Sequence, residues 1–155
     1  MITGDEIQVV SFRVGEQEFG LNVFQVERIL RYERPAPLPK SPDFLEGVVT
    51  FEGAPVPVVD LRKRLSLQAD QADETRMMVL DIEGNRVGVV VDQVLDVMRV
   101  DGGAITAPPP LVKGLAAEYI SGLLSRDDGR TVVILNAGRL LSSKERLALK
   151  MVGAA

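Results

Sequence analysis

Valine- and leucine-rich runs of roughly four to eight residues alternate along this chain with Gly, Pro and Asp punctuation, the pattern of short strands and tight turns. It predicts strands over Ile7–Val14, Phe19–Val23, Val56–Leu61, Met77–Ile82, Val87–Val91 and Thr131–Leu135. Turns fall at Gly15-Glu16-Gln17-Glu18, Glu52-Gly53, Glu83-Gly84-Asn85 and Asp128-Gly129. A glycine in such a turn supplies the positive φ that a tight hairpin needs. The pattern defines an all-β barrel or sandwich.

The same order of features occurs twice. Val14-Gly15 is followed by Phe19-Gly20-Leu21, then Gln25-Val26 and Ile29-Leu30. Glu83-Gly84 is followed by Val87-Gly88-Val89, then Gln93-Val94 and Val97-Met98, and the two stretches align without a gap from Gly20 and Gly88 onward. Each leads to a proline-rich connector, Pro35, Pro37 and Pro39 in one and Pro108–Pro110 in the other. After each connector come an aromatic, a glycine three residues later and a hairpin: Phe44-Leu45-Glu46-Gly47 and Tyr119-Ile120-Ser121-Gly122. An ordered series of this kind indicates internal duplication. The prolines at matching places favour a structural connector over a polyproline ligand.

Two short helical pieces interrupt the strands. Asp60 can cap a turn through Leu65, its carboxylate accepting from free backbone N–H groups. Ser142 with Glu145 forms a capping box that opens a helix over 142–151. The polar, acidic segment Gln68–Glu74 lacks an apolar period and reads as a mobile connection between the copies.

Composition narrows the chemistry. The 155 residues contain no Cys and no His, which excludes disulfides, thiolate metal sites, cysteine nucleophiles and the commonest neutral-pH base. The net charge of −4 and the lack of a basic stripe with interleaved aromatics argue against a nucleic-acid partner. No signal peptide is expected at the acidic N-terminus, and no apolar run is long enough to span a bilayer, so the reading is a cytoplasmic protein without direct membrane insertion. Asp60, Asp92 and Asp96 are the candidates for a carboxylate-dependent enzyme or metal site, with Asp92 and Asp96 spaced to share a helical face. Without His, an EF-hand spacing or a phosphate-binding glycine loop, the enzymatic reading is the weaker one, and no cofactor or metal is expected.

The ordered motifs resemble the CheW-like family, the adaptor modules of bacterial chemotaxis. The resemblance is carried by Phe12-Arg13-Val14-Gly15 with Phe19-Gly20-Leu21; by Val26-Glu27-Arg28-Ile29; by Pro39-Lys40-Ser41-Pro42-Asp43-Phe44-Leu45-Glu46-Gly47-Val48; and by Gly53-Ala54-Pro55-Val56-Pro57-Val58-Val59-Asp60-Leu61-Arg62. In the second half it is carried by Val87-Gly88-Val89-Val90-Val91-Asp92-Gln93-Val94 and Tyr119-Ile120-Ser121-Gly122. The resemblance implies two SH3-like five-stranded β-barrels packed together within a single domain over 7–150, with a short C-terminal helix. The first barrel is expected over about 15–67, and the second over about 7–14 plus 76–141. It implies a non-enzymatic adaptor between the cytoplasmic tip of chemoreceptors and the regulatory domain of the histidine kinase CheA. A coupler in another pathway, such as surface motility or development, is the alternative.

Carried over position by position, the resemblance implies a receptor-facing set of Val26, Arg28, Ile29, Gly47, Val49, Glu52 and Gly53, and leaves the kinase-facing residues unassigned. Two of these positions depart from the family pattern. Arg28 stands where the family usually has Glu, and Glu52 stands where it usually has Arg. An Arg28–Glu52 pair with reversed polarity is therefore expected, either as neutral drift of a compensated pair or as a change of partner preference. An exposed pair is worth only about 0–1 kcal/mol to folding. Mismatched charges at an interface can cost several kcal/mol, so the exchange bears more on partner choice.

Overall fold

The computed structural model describes residues 6–39, 43–65, 72–107 and 119–142, together with 144, 145, 147 and 148. The proline run 108–110, residues 68–71 of the acidic connector and the end of the helix expected near Met151 lie outside the described residues.

Among the described residues, eleven strands form two sheets: β1 (Glu6–Val14), β2 (Gln17–Asn22), β3 (Val26–Arg31), β4 (Leu45–Phe51), β5 (Ala54–Asp60), β6 (Arg76–Ile82), β7 (Asn85–Val91), β8 (Gln93–Asp101), β9 (Ile105–Thr106), β10 (Ile120–Ser125) and β11 (Thr131–Leu135). A single-turn helix, α1 (Leu61–Arg64), follows β5, and residues 144, 145, 147 and 148 are helical. One sheet runs β3-β6-β7-β5-β4 and the other β8-β1-β2-β11-β10-β9. The all-β expectation holds, and the predicted strands recur within a few residues at their ends.

The strand order shows how the two copies are assembled, and it differs from the expected barrel limits of 15–67 and 7–14 plus 76–141. The N-terminal hairpin, β1 with β2, pairs with β8 and β11 of the second copy. Its counterpart, β6 with β7, pairs with β3 and β5 of the first copy. The junction where a hairpin docks on the other copy is parallel both times: Val132–Ile134 beside Glu18–Gly20, and Val58–Asp60 beside Gly88–Val90. The duplication is thus one of reciprocal exchange, in which each copy gives its first hairpin to the other. The sequence could show that the hairpins match. Which sheet each one joins depends on long-range pairing that strand periodicity does not encode.

The bulges are duplicated too. Glu27 is the extra residue between Val26 and Arg28 opposite β6, and Leu95 is the extra residue between Val94 and Asp96 opposite β1. Glu46 and Ser121 are the extra residues before Gly47 and Gly122. A bulge bends its strand and re-aims the side chains beside it.

The core explains the valine-rich sequence. Alternate residues of a strand face opposite sides. On β6, Met77 and Val79 point into one cluster with Val49, Phe51, Val56, Val58 and Val90. Met78, Leu80 and Ile82 point into a second cluster that also takes Val10, Phe12, Val14, Phe19 and Leu21 from the other sheet. A third cluster, with Val9, Leu124, Val132 and Ile134, fills the other barrel. The exchanged hairpins are therefore buried on both faces, and such strands read as nearly continuous apolar runs.

Both predicted caps form, and the end of the second helix lies outside the described residues. Asp60 accepts from the Arg62 backbone N–H at 2.9 Å and caps α1. Glu145 accepts from the Ser142 N–H at 2.9 Å, and the Ser142 hydroxyl accepts from the Glu145 N–H at 3.1 Å. Arg64 of α1 reaches the Glu145 carboxylate at 2.7 Å, with its guanidinium 5.6 Å from the Phe44 ring centre, so the C-terminal segment is pinned to α1. Burial pushes the Glu145 carboxyl upward, but the hydrogen bonds and charge from Arg64 and the Ser142 N–H outweigh it and hold the group below its ordinary value. A depressed carboxyl contributes stability above its unfolded value, about 4.3, and loses it as pH falls through the folded value. Glu145→Gln should therefore cost about 0.5–1 kcal/mol at neutral pH, and the difference from wild type should shrink in urea titrations below about pH 4.

Candidate functional site

The residues expected to face a receptor separate into a surface group and a buried group. Arg28 and Ile29 lie on β3, an edge strand whose side chains are mostly exposed. Glu52 and Gly53 form the two-residue turn between β4 and β5, both with left-handed φ, 52° and 78°. Val26 is half-buried against the core shared by the sheets. Val49 is buried inside its own barrel, and Gly47 is covered by the first proline connector. There Ala36 and Val48 exchange two backbone hydrogen bonds, at 2.8 and 2.9 Å, across the glycine. Val49 and Gly47 are therefore frame, and Arg28, Ile29, Glu52 and Gly53 are surface.

The expected Arg28–Glu52 pair does not form. The Glu52 carboxylate is taken by Arg86, whose Nη2 lies 2.9 Å from Oε1. Arg86 Nε also donates to both oxygens of Glu27, at 3.3 and 3.1 Å. The Arg28 guanidinium lies 5.5 Å from the centre of the Phe51 ring, and that of Arg86 lies 5.2 Å from it. Two cations thus share one nearly buried aromatic ring, within the range where a cation is held by the ring quadrupole. Among the described residues, the acid-to-base contacts here run through Arg86 and leave Arg28 without a carboxylate at ion-pair distance. The hydrogen bond to Glu27 is the main cause that raises the Arg86 pKa above its ordinary value, with both carboxylates adding to it against desolvation.

Sequence reasoning missed Phe51, Arg86 and Glu27. Phe51 was available from its position beside the turn. Arg86 was hidden because it belongs to the second copy and reaches this surface only through the hairpin exchange. Glu27 was hidden by the bulge that turns it.

The acidic candidates resolve into a structural network. Arg62 Nε and Nη2 donate to the two oxygens of Asp60, both at 3.0 Å, while Nη1 lies 3.5 Å from Asp92 Oδ1. The other Asp92 oxygen accepts from the Gly15 N–H at 2.6 Å, and the Asp92 N–H donates to the Arg13 carbonyl at 3.0 Å. This clasp ties α1 and the end of β7 to the β1–β2 turn of the other sheet. Asp96 stands apart: Asp92 and Asp96 do not share a helical face, because β8 is extended across 93–101. The Asp96 carboxylate accepts from the Val97 N–H at 2.8 Å. Among the described residues, no group of His, Cys, Asp and Glu could hold a metal ion, and no helix is long and apolar enough to cross a membrane.

Exposed large apolar side chains lie on two of the edge strands, Ile29 on β3 and Leu95 and Val97 on β8, with Phe24 on the turn before β3. The strands β3 and β8 are matching elements of the two copies and belong to different sheets. The fold thus presents two exposed apolar edges, one per barrel, around a buried clasp. Exposed apolar edges on a rigid frame are the features of a module that holds partners.

Comparison with known proteins agrees. The CheW-like domain model matches residues 8–145. The chain is 33% identical over 135 residues to the chemotaxis protein CheW of Klebsiella aerogenes, covering 86% of this chain and 81% of that one. It is 34% identical over 147 residues to protein FrzA of Myxococcus xanthus, covering 93% and 91%. The crystal structure of the scaffolding protein TtCheW from Thermoanaerobacter tengcongensis superposes with a TM-score of 0.82 at 27% identity, covering 91% of this chain and 96% of that chain. The chain belongs to the CheW-like family, and its fold is the family's pair of packed SH3-like barrels with a short helix. It is a non-enzymatic scaffold of the chemotaxis coupling type.

Proposed function

We propose that this chain couples the cytoplasmic tip of a chemoreceptor to the regulatory domain of the histidine kinase CheA, working in the cytoplasm beside the membrane through its partners. The observation that carries the reading is the exposed β3 edge, where Arg28 lies over Phe51, next to the Glu52-Gly53 turn in sequence, and Ile29 is exposed on the strand's other face. An exposed apolar side chain flanked by charges suits one face of a partner helix, with the apolar contact giving affinity and the charges selecting the partner. Val26, Gly47 and Val49 serve the same face from below by fixing the strands that carry it.

The test is co-purification of the full chain with CheA of the same organism, followed by a kinase assay with and without receptor. Receptor-dependent kinase activity should require this chain and should fall with Ile29→Asp. Kinase binding and activation that are both indifferent to the chain would overturn the reading. A second reading places the same coupling in another signalling pathway. It is favoured by the charge arrangement at Arg28 and Glu52, and pulldown against each full-length CheA-type kinase of the organism separates the two.

A further inference from the structure

We infer that Arg86 is the specificity-determining positioning residue of the β3 surface: by holding Glu27 and Glu52 it leaves Arg28 as a cation available to an acidic side chain of the partner helix. This deepens the receptor-coupling reading and rests on it. The departures at Arg28 and Glu52 look like a simple exchange of charges, which would leave a closed pair with nothing to offer. The geometry differs from that. Arg86 sits within ion-pair distance of both carboxylates, 3.1 Å from Glu27 and 2.9 Å from Glu52. Arg28 lies over the same Phe51 ring as Arg86, the base that holds both carboxylates. Two acids are satisfied by one base, and the second base is exposed with no carboxylate of its own among the described residues.

The chemistry of the partner follows. A guanidinium lying on an aromatic ring keeps its N–H edge directed outward and can take a carboxylate side-on. An acidic side chain on a partner helix that reaches Arg28 on the Phe51 side of β3 completes the site. A basic side chain at that place meets Arg28 and is rejected, since like charges brought together at an interface cost binding.

Arg86 is placed to set this choice from the second copy of the repeat. If its charge is lost, Glu27 and Glu52 become available to Arg28, and the surface closes on itself. The Arg86 stem still covers Phe51 in Arg86→Met, so packing is largely kept while the charge is removed.

The experiment measures binding of the full chain to the cytoplasmic hairpin tip of a chemoreceptor from the same genome, by fluorescence anisotropy at several salt concentrations, with circular dichroism as a check on folding. Arg28→Met should weaken binding about tenfold and reduce its salt dependence. Arg86→Met should weaken it about fivefold, and adding Arg28→Met to that variant should cost little more, because the cation is already occupied. The decisive variant is the triple Arg86→Met, Glu27→Gln, Glu52→Gln, which should bind within about twofold of wild type because Arg28 is free again. A purely structural Arg86 predicts no such rescue, so a triple variant as weak as Arg86→Met overturns the inference. So does wild-type affinity in Arg28→Met, provided Ile29→Asp still abolishes binding. Absence of binding by the wild-type chain overturns the receptor-coupling reading itself, and this inference with it.

Discussion

Arg62→Met lowers the unfolding free energy by about 3–5 kcal/mol, read as a fall in the urea midpoint, the largest single loss expected in this fold. The Arg62 side chain is 11% exposed, and it stands between Asp60 and Asp92, which are 9% and 4% exposed. Removing the cation leaves two desolvated carboxylates facing each other. Hydrogen bonds from the Arg62 backbone N–H and from Gly15 would still satisfy part of each, but not its charge. Arg62→Lys should recover only part of the loss. A point-charge ammonium cannot grip both oxygens of Asp60 as the guanidinium does while also reaching Asp92. Adding Asp92→Asn to Arg62→Met should restore stability, since it removes one of the stranded charges while keeping an acceptor for Gly15. If Arg62→Met is as stable as wild type, the clasp does not hold the sheets together.

Gly47→Ala costs about 3 kcal/mol, from strain and from a clash that act together. Gly47 has φ of +144°, a backbone conformation nearly closed to residues with a Cβ, and a Cβ placed there falls 2.3 Å from the Ala36 carbonyl oxygen. That oxygen accepts from the Val48 N–H, so the connector cannot move away without losing its backbone pairing. The matching glycine of the second copy provides a control. A Cβ on Gly122 meets Ile105 Cγ2 at 2.4 Å and the Thr106 carbonyl oxygen at 2.9 Å, without the positive φ, so Gly122→Ala should cost less. Gly53→Ala, with φ of +78° and open space around it, should cost only about 1 kcal/mol of strain. Thermal or urea unfolding should rank the three as Gly47, Gly122, Gly53. Any loss of receptor binding in Gly47→Ala should follow its loss of folding, because this glycine does not reach the surface.

The sequence was legible where burial imposes a period. The strands β1, β6 and β7 are apolar on one or both faces, and their valine runs mark them clearly. Strands β3 and β8 were not recognised as strands, and both fail for the same reason. Each is an edge strand, mostly exposed, and each carries a bulge near its start that breaks the two-residue alternation. That is also why Asp92 and Asp96 passed for a helical pair. The caps at Asp60 and Ser142 could be read because they depend on neighbours in sequence. The partner of Glu52 could not, because choosing Arg86 over Arg28 requires knowing that β7 lies in the same sheet as β4.

The exchanged hairpins also bear on where such a fold begins. Cut between the copies, either half would hold a hairpin with nothing to lie on and a sheet with a missing centre. Two identical halves could complete each other, because an exchange related by a two-fold axis closes on itself and leaves no element over. A half-length chain of this kind would be an obligate homodimer. Joining the halves keeps the buried symmetry and releases the surface from it: Arg28 and Asp96 occupy matching places with opposite charge, as do Glu27 and Leu95 with opposite polarity. A symmetric dimer can offer only the same face twice. The fused chain has two faces that can evolve separately, and a molecule that must grip two different partners at once needs that independence.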